Sequence, residues 1–282
     1  MARKKSNGGA SGSRLPASGS PTVRARPEGH DGWDDYAPFY DWENARTLGR
    51  RDVPFWRNVA LNVGGTLLEL GAGTGRISIP LARAGVRVVG IDRSEPMLAR
   101  ARQRVTRGKL QRRVRLVRGD IRFLPFRKPF DMVLAPYGML QSLLRERDLQ
   151  ATLAAVHRVL KRGGTFGVEL VADLPSWQEY EKRISLTGWR RRPGGAHVTL
   201  TETVRQDRGK GLTIFDQEFT ERRGRTKLSR TFSLAFRTLT VPQMVRRLEK
   251  AGFEITALLG DYKGREWDKR ADVWVILARK RR

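Results

Sequence analysis

From Trp33 onward, apolar and polar residues alternate in a regular order of short strands and amphipathic helices. Segments 33–46 and 52–61 are aromatic-rich and helix-like, with a turn at Gly49 between them. Thr66–Leu70 (TLLEL) predicts a short apolar strand, 76–84 a helix, and 86–91 (VRVVGI) a second strand. Segment 94–106 predicts a helix with Met97, Ala101 and Val105 in one stripe, spaced i, i+4, i+8. Strands follow at 114–117 and 130–135, and a helix at 146–160 with Leu149, Leu153, Val156 and Leu160 in line. Gly163 and Gly164 open a fifth strand, 165–171. Strands alternating with helices of this length mean an α/β fold, a parallel sheet covered on both faces. The order then breaks. Residues 197–237 contain three β-like runs (HVTLTETV, LTIFDQEF, KLSRTFSLAF) separated by charged turns, an expected antiparallel meander. A helix capped by Thr240 follows, stopping at Gly252. Segments 253–259 and 273–278 read as a closing hairpin.

The glycine loop carries the sharpest chemistry. Glu69-Leu70-Gly71-Ala72-Gly73-Thr74-Gly75-Arg76 joins the first strand to its helix. Glycines there permit a tight turn and close approach of a ligand to the backbone. The following helix start offers unpaired N–H groups. Asp92 ends the second strand, where a carboxylate can accept both hydroxyls of a ribose. An adenosine-type cofactor is therefore expected. A dinucleotide fingerprint needs a third glycine where Arg76 stands.

With Glu69 before it, the G-x-G-x-G spacing resembles instead the class I S-adenosylmethionine-dependent methyltransferases. The likeness is closest to their small-molecule and peptide N-methyltransferase-like branch. It runs from about Tyr36 to the C-terminus through "YAPFYDWE", the segment beginning "LLELGAGTGRISIPLARAG", "GDIRFLPF", "FDMVLAPYGMLQSL", "LKRGGTFGVEL" and "VWVILARK". The resemblance implies a Rossmann-like seven-stranded sheet, mostly parallel, with a C-terminal antiparallel hairpin and helices on both faces. The inserted β meander, at about 174–238, becomes a substrate cap, and residues 31–282 a single catalytic domain. S-adenosyl-L-methionine is the implied cofactor. Gly71, Gly73 and Gly75, with Glu69 and Ala72 in the same loop, would lie against its methionyl and ribose parts. Asp92 would take the ribose hydroxyls and Met97 would pack near the adenine. Asp120 would accept the adenine amino group, and Ile121 would offer a backbone N–H. Ala135 to Tyr137 would line the site, and Tyr40 would close over the methionyl end. Met97 also fits the core stripe, and Tyr40 and Tyr137 also fit plain packing roles.

Methyl transfer from a sulfonium needs alignment and a water-poor pocket more than a strong acid or base. Relatives often carry a His shortly after the fourth strand, where this chain has Ser142 in "LQSL". That favours transfer by approximation, to a nitrogen or oxygen, and leaves no catalytic side chain assigned. Trp177, Trp189 and the meander are expected to cover the methyl end, with Arg190–Arg192 as candidates for selecting an acidic substrate. His30 falls in the tail, His157 on a helix, and His197 at the start of the meander.

Composition adjusts this picture. The chain has 282 residues and a formal net charge of +27, with 44 arginines among its 56 cationic side chains. Nucleic acid is thus a second candidate partner, behind a small molecule or peptide. The densest run, 93–118, falls largely outside the helix's apolar stripe, as a solvated surface would. Residues 1–30 are rich in Gly, Ser, Pro and basic residues, an expected disordered basic tail. Cysteine is absent, which excludes disulfides, thiolate metal sites and the thiolate route to cytosine-C5 methylation. With three histidines besides, no metal site is expected. No apolar run approaches a membrane span, and a cytoplasmic location is expected. A cofactor-binding protein without enzymatic activity is the third reading. No oligomeric state follows from the sequence.

Overall fold

The computed structural model describes residues 28–47, 49, 51–172, 174–190 and 195–281. Most of the expected basic tail, and Arg191 and Arg192, lie outside them. Residues 28–30, expected to belong to that tail, are placed against the body: Glu28 pairs with Arg145, and Gly29 O accepts the Trp33 indole N–H.

Two sheets are present among the described residues. The larger has seven strands in the order β10-β11-β5-β4-β1-β2-β3. These are β1 (Thr66–Leu70), β2 (Arg87–Asp92), β3 (Val114–Arg118), β4 (Phe130–Ala135), β5 (Leu160–Val171), β10 (Phe253–Leu259) and β11 (Val273–Lys280). All neighbours are parallel except where β11 meets β5 and β10. The seven-stranded sheet and its terminal hairpin are thus as expected.

Local chemistry explains the helices around it. α4 (Glu95–Arg107) starts at Ser94, whose hydroxyl accepts the Met97 N–H, and buries Met97, Leu98, Ala101 and Val105 while its arginines turn outward. α6 (Val241–Lys250) opens with a capping box in which the Thr240 and Gln243 side chains each take the other's backbone N–H. α5 (Glu146–Val159) runs straight into β5, so the fifth strand begins five residues before the expected position. α2 (Val53–Val63) and the short α3 (Ser78–Arg83) complete this half.

The strand order reverses direction between β1 and β4. Helices leave this point toward opposite faces, so a crevice opens beyond the carboxyl ends of those strands. The glycine loop, Asp92 and the β4 end all face it.

The second sheet is β6 (Tyr180–Arg190), β7 (Ala196–Asp207), β8 (Leu212–Arg223) and β9 (Thr226–Arg237), antiparallel in sequence order. β6 adds a fourth strand to the expected three-stranded meander. It is an edge strand, mostly exposed, so its sequence lacks the alternation of β7 and β8. The buried face of this sheet packs on α1 (Trp33–Asn44) through a stack of Phe39, Phe219 and Phe232, with ring centroids 4.2 and 5.7 Å apart. α1 also packs against α4, so it joins the cap to the main sheet. Glu146 of α5 accepts Arg237 of β9 at 2.8 Å and Arg247 of α6 at 2.9 Å, a second tie.

Candidate active site

The residues 71, 73 and 75 of the loop hold φ values of +65°, +52° and +78°, which only glycine adopts without strain. The three differ in what surrounds them. A Cβ at Gly71 would strike the Met139 sulfur, and one at Gly75 would strike Ile79. A Cβ at Gly73 would meet nothing nearer than the Gly71 carbonyl oxygen at 3.8 Å. It would project into a cavity of about 510 Å³.

At the end of β2, Asp92 shapes the loop. One carboxylate oxygen accepts the Gly73 N–H and the other the Ser94 N–H, both at 2.8 Å. Burial raises its carboxyl, and these amide bonds oppose the shift. Glu69 is buried beneath the loop and accepts the Ser78 hydroxyl. Burial pushes its carboxyl up to about 8, against the opposing pull of Ser78 and Arg76. A neutral Glu69 at pH 7 becomes an anion when a cation is placed beside it.

Arg76, standing where a third dinucleotide glycine would be, is buried. Its guanidinium makes a two-pronged pair with Asp52, both bonds 2.7 Å. It also lies 5.7 Å from the Tyr137 ring centroid and beside the Tyr40 hydroxyl. Tyr137 itself has φ +43°, an uncommon conformation for a bulky residue and a mark of a constrained site.

Ten of the twelve expected site residues line this one cavity: Tyr40, Glu69, Gly71, Ala72, Gly73, Asp92, Met97, Asp120, Ile121 and Tyr137. Gly75 and Ala135 do not. Gly75 turns the chain behind the wall, and Ala135 is fully buried in β4. Asp120 lines the cavity with its carboxylate already forked by Arg122 and approached by Arg93 at 3.6 Å. Burial raises its carboxyl, but the Arg122 contacts outweigh this and hold it below its ordinary value.

Comparison with known proteins decides the family. A methyltransferase-domain family model matches residues 67–164. The chain is 31% identical over 220 residues to cypemycin N-terminal methyltransferase of a Streptomyces species, covering 77% of this chain and 84% of that one. The chain belongs to the class I S-adenosylmethionine-dependent methyltransferases. An S-adenosylmethionine-dependent methyltransferase from Clostridium acetobutylicum has the same fold, with TM-score 0.72 and 17% identity over 88% of this chain and all of that one. The sugar N-methyltransferase KedS8 from Streptoalloteichus superposes with TM-score 0.68 at 16% identity, over 95% of this chain and all of its own.

The methyltransferase's cofactor is S-adenosylmethionine, and the site fits it. The cradle above Gly73 is one that a side chain would fill, and Asp92 has its oxygens fixed by backbone amides at a strand end. Bound there, the cofactor supplies a sulfonium-activated methyl group. Gly73 and Asp92 would hold its ribose, and Glu69 its ammonium.

Several lining residues were not legible beforehand. His30, expected in the tail, lines the cavity, while His157 packs on Phe253 and His197 lies beside Trp189 away from it. Trp177 packs on Phe215 and lines the cavity, but Trp189 points outward, 64% exposed. Arg190, expected as a candidate for substrate selection, does not line this cavity. It is buried, donating to Glu221 at 2.7 Å and to the Pro38 carbonyl at 3.0 Å. The cap end of the cavity carries carboxylates instead, Glu43 of α1 and Glu202 of β7. Both lie in segments the sequence singled out, Glu43 ending "YAPFYDWE" and Glu202 at an inward position of "HVTLTETV", but only folding brings them together. Among the described residues, no helix is long and apolar enough to cross a membrane.

Proposed function

We propose that the enzyme transfers the methyl group to a nitrogen or oxygen of a small molecule or peptide, mainly by approximation and desolvation. One observation carries this reading: a single cavity extends from Asp92 and Gly73 into a cup under the cap. We take 31–282 as the catalytic domain and about 174–238 as its cap.

The cup suits an in-line displacement. Trp33, Tyr36 and Tyr40 pack ring against ring along one side, with centroids 5.5–6.5 Å apart. Leu174, Phe215 and Phe236 supply apolar wall from the cap side. Such a lining excludes water and holds two reactants in register, an effect worth about 7–11 kcal/mol when alignment is good. Ser142 lines the cavity with its hydroxyl donated to the Met139 carbonyl at 2.7 Å. It therefore offers no general base where relatives often carry a histidine.

The cup's carboxylates weigh against a phosphate-bearing acceptor. Of the lining arginines, Arg93 and Arg122 are engaged with Asp120, Arg76 with Asp52, and Arg183, the one from the cap, is stacked over the Tyr180 ring. The similarity to cypemycin N-terminal methyltransferase and to a sugar N-methyltransferase supports the same choice of small acceptor.

The test is label transfer from methyl-labelled S-adenosylmethionine to a panel. It contains a peptide with a free N-terminus, an amino sugar, a phenol and total RNA. Label in one of the first three is expected. Label in RNA alone would replace this reading with the nucleic-acid one, and no transfer with intact cofactor binding would replace it with that of a binding protein.

A further inference from the structure

The cap end of the cavity is rich in hydrogen-bond acceptors that have no donor. Glu202, buried on β7, accepts the Tyr180 hydroxyl and the Ser185 hydroxyl on one oxygen, and the Gln217 amide N–H at 2.8 Å on the other. That last bond fixes which way the Gln217 amide faces, because a carboxylate accepts and cannot donate. Its carbonyl oxygen Oε1 is then left buried and unpartnered on a side chain only 4% exposed. Asn44, another lining residue, likewise leaves Oδ1 buried without a donor. Glu43, a further lining carboxylate, accepts the Tyr36 hydroxyl at 2.8 Å on Oε2. Buried polar atoms are rarely left unpaired in a folded protein. The two such atoms on residues lining this cavity, Gln217 Oε1 and Asn44 Oδ1, are both acceptors, so the group that would complete them is a donor.

We propose that the acceptor substrate is an aliphatic amine, bound as its ammonium ion between Glu43 and Glu202 with Gln217 Oε1 taking a further N–H, and that Glu43 removes the proton that frees the nitrogen lone pair. This rests on the small-molecule or peptide reading above. The ammonium passes one proton to the Glu43 carboxylate and becomes a neutral amine. The nitrogen lone pair then forms the N–CH3 bond as the S–CH3 bond breaks, its electron pair remaining on sulfur. The product is a methylated ammonium and a neutral thioether, and the Glu43 carboxyl returns its proton to water.

The surroundings of Glu43 suit the task. Burial pushes its carboxyl up to about 7; the Tyr36 bond lowers it and the Glu202 charge raises it further. A proton acceptor works best near the operating pH. From α1, Tyr36 and Tyr40 face this region; from β7, Glu202; from β6, Tyr180 and Arg183. Arg183 is the cation of the group, its guanidinium stacked 3.6 Å over the Tyr180 ring. From β8 comes the neutral Gln217.

The test uses the full chain saturated with S-adenosylhomocysteine. Calorimetry compares phenethylammonium with its neutral twin, 2-phenylethanol. The ammonium is expected to bind about ten-fold tighter or more, with the preference abolished in Glu202→Gln. Affinity for the ammonium should fall as pH drops through about 7, where Glu43 takes up its proton, and this dependence should vanish in Glu43→Gln. Equal affinity for the two probes overturns the proposal. So does failure of the ammonium to bind in the millimolar range, or a pH dependence unchanged in Glu43→Gln. Retained S-adenosylhomocysteine binding reports that each variant folds, and the two-probe comparison on the wild type needs no variant. Transfer to a phenol with no ammonium preference removes this inference and leaves the methyltransferase reading. An ammonium preference without any transfer does the reverse.

Discussion

Removing the Asp92 carboxylate tests the cofactor site most directly. In Asp92→Asn the side chain keeps its size, so packing at the end of β2 is preserved. Its two oxygens now accept the Gly73 and Ser94 N–H groups. An amide has one oxygen, so one of these N–H groups must face an NH2, and the charge that would bind the ribose hydroxyls is gone. Hydrogen bonds to a charged group are worth about 1.5–3 kcal/mol. Losing one such interaction weakens binding roughly ten- to hundred-fold. Both ribose hydroxyls are affected, so the upper part of that range is expected. Calorimetric titration with S-adenosylhomocysteine is the suitable assay, because the ligand keeps the ribose but lacks the sulfonium charge. A thermal unfolding curve alongside it separates ligand loss from loop damage. Affinity within about two-fold of the wild type, in a folded variant, would refute the ribose assignment.

The same geometry fixes four further outcomes. Gly73→Ala places a Cβ in the cradle at a positive φ; it should cost about 1–2 kcal/mol of stability yet nearly abolish S-adenosylhomocysteine binding, and normal binding would show the cradle to be elsewhere. Glu69, held up to about 8 by burial, should release close to one proton when a cofactor ammonium arrives beside it. Binding heats at pH 7 should then differ between phosphate and Tris buffers, and equal heats would exclude the contact. In the free enzyme the same raised group stabilises the fold below about 4.5, and that contribution is lost as pH rises toward about 8. Arg190→Ala leaves Glu221 without its main partner, both side chains being about nine-tenths buried. Removing one member of such a pair costs about 3–5 kcal/mol, so a clear drop in the unfolding midpoint is expected, whereas a substrate-selecting Arg190 would alter KM and leave the midpoint unchanged.

The sequence alone determined the sheet, the helix faces, the glycine loop and Asp92. Each of these depends on neighbours within a few residues: a period of two or 3.6, a cap, a turn that needs glycine, an acid at a strand end. The tertiary structure alone decided the rest. The edge strand β6 has no alternating pattern, because successive residues on both of its faces meet solvent over much of its length. Arg76 takes its meaning from Asp52, 24 positions earlier, and Arg190 from Glu221, 31 positions later. Most of all, the net charge of +27 suggested an acidic partner, while the cup under the cap gathers Glu43, Glu202 and unpaired carbonyl oxygens. Net charge counts every side chain alike, most of them solvated. What a site attracts is set by the few charges that folding removes from water, where their fields are least screened.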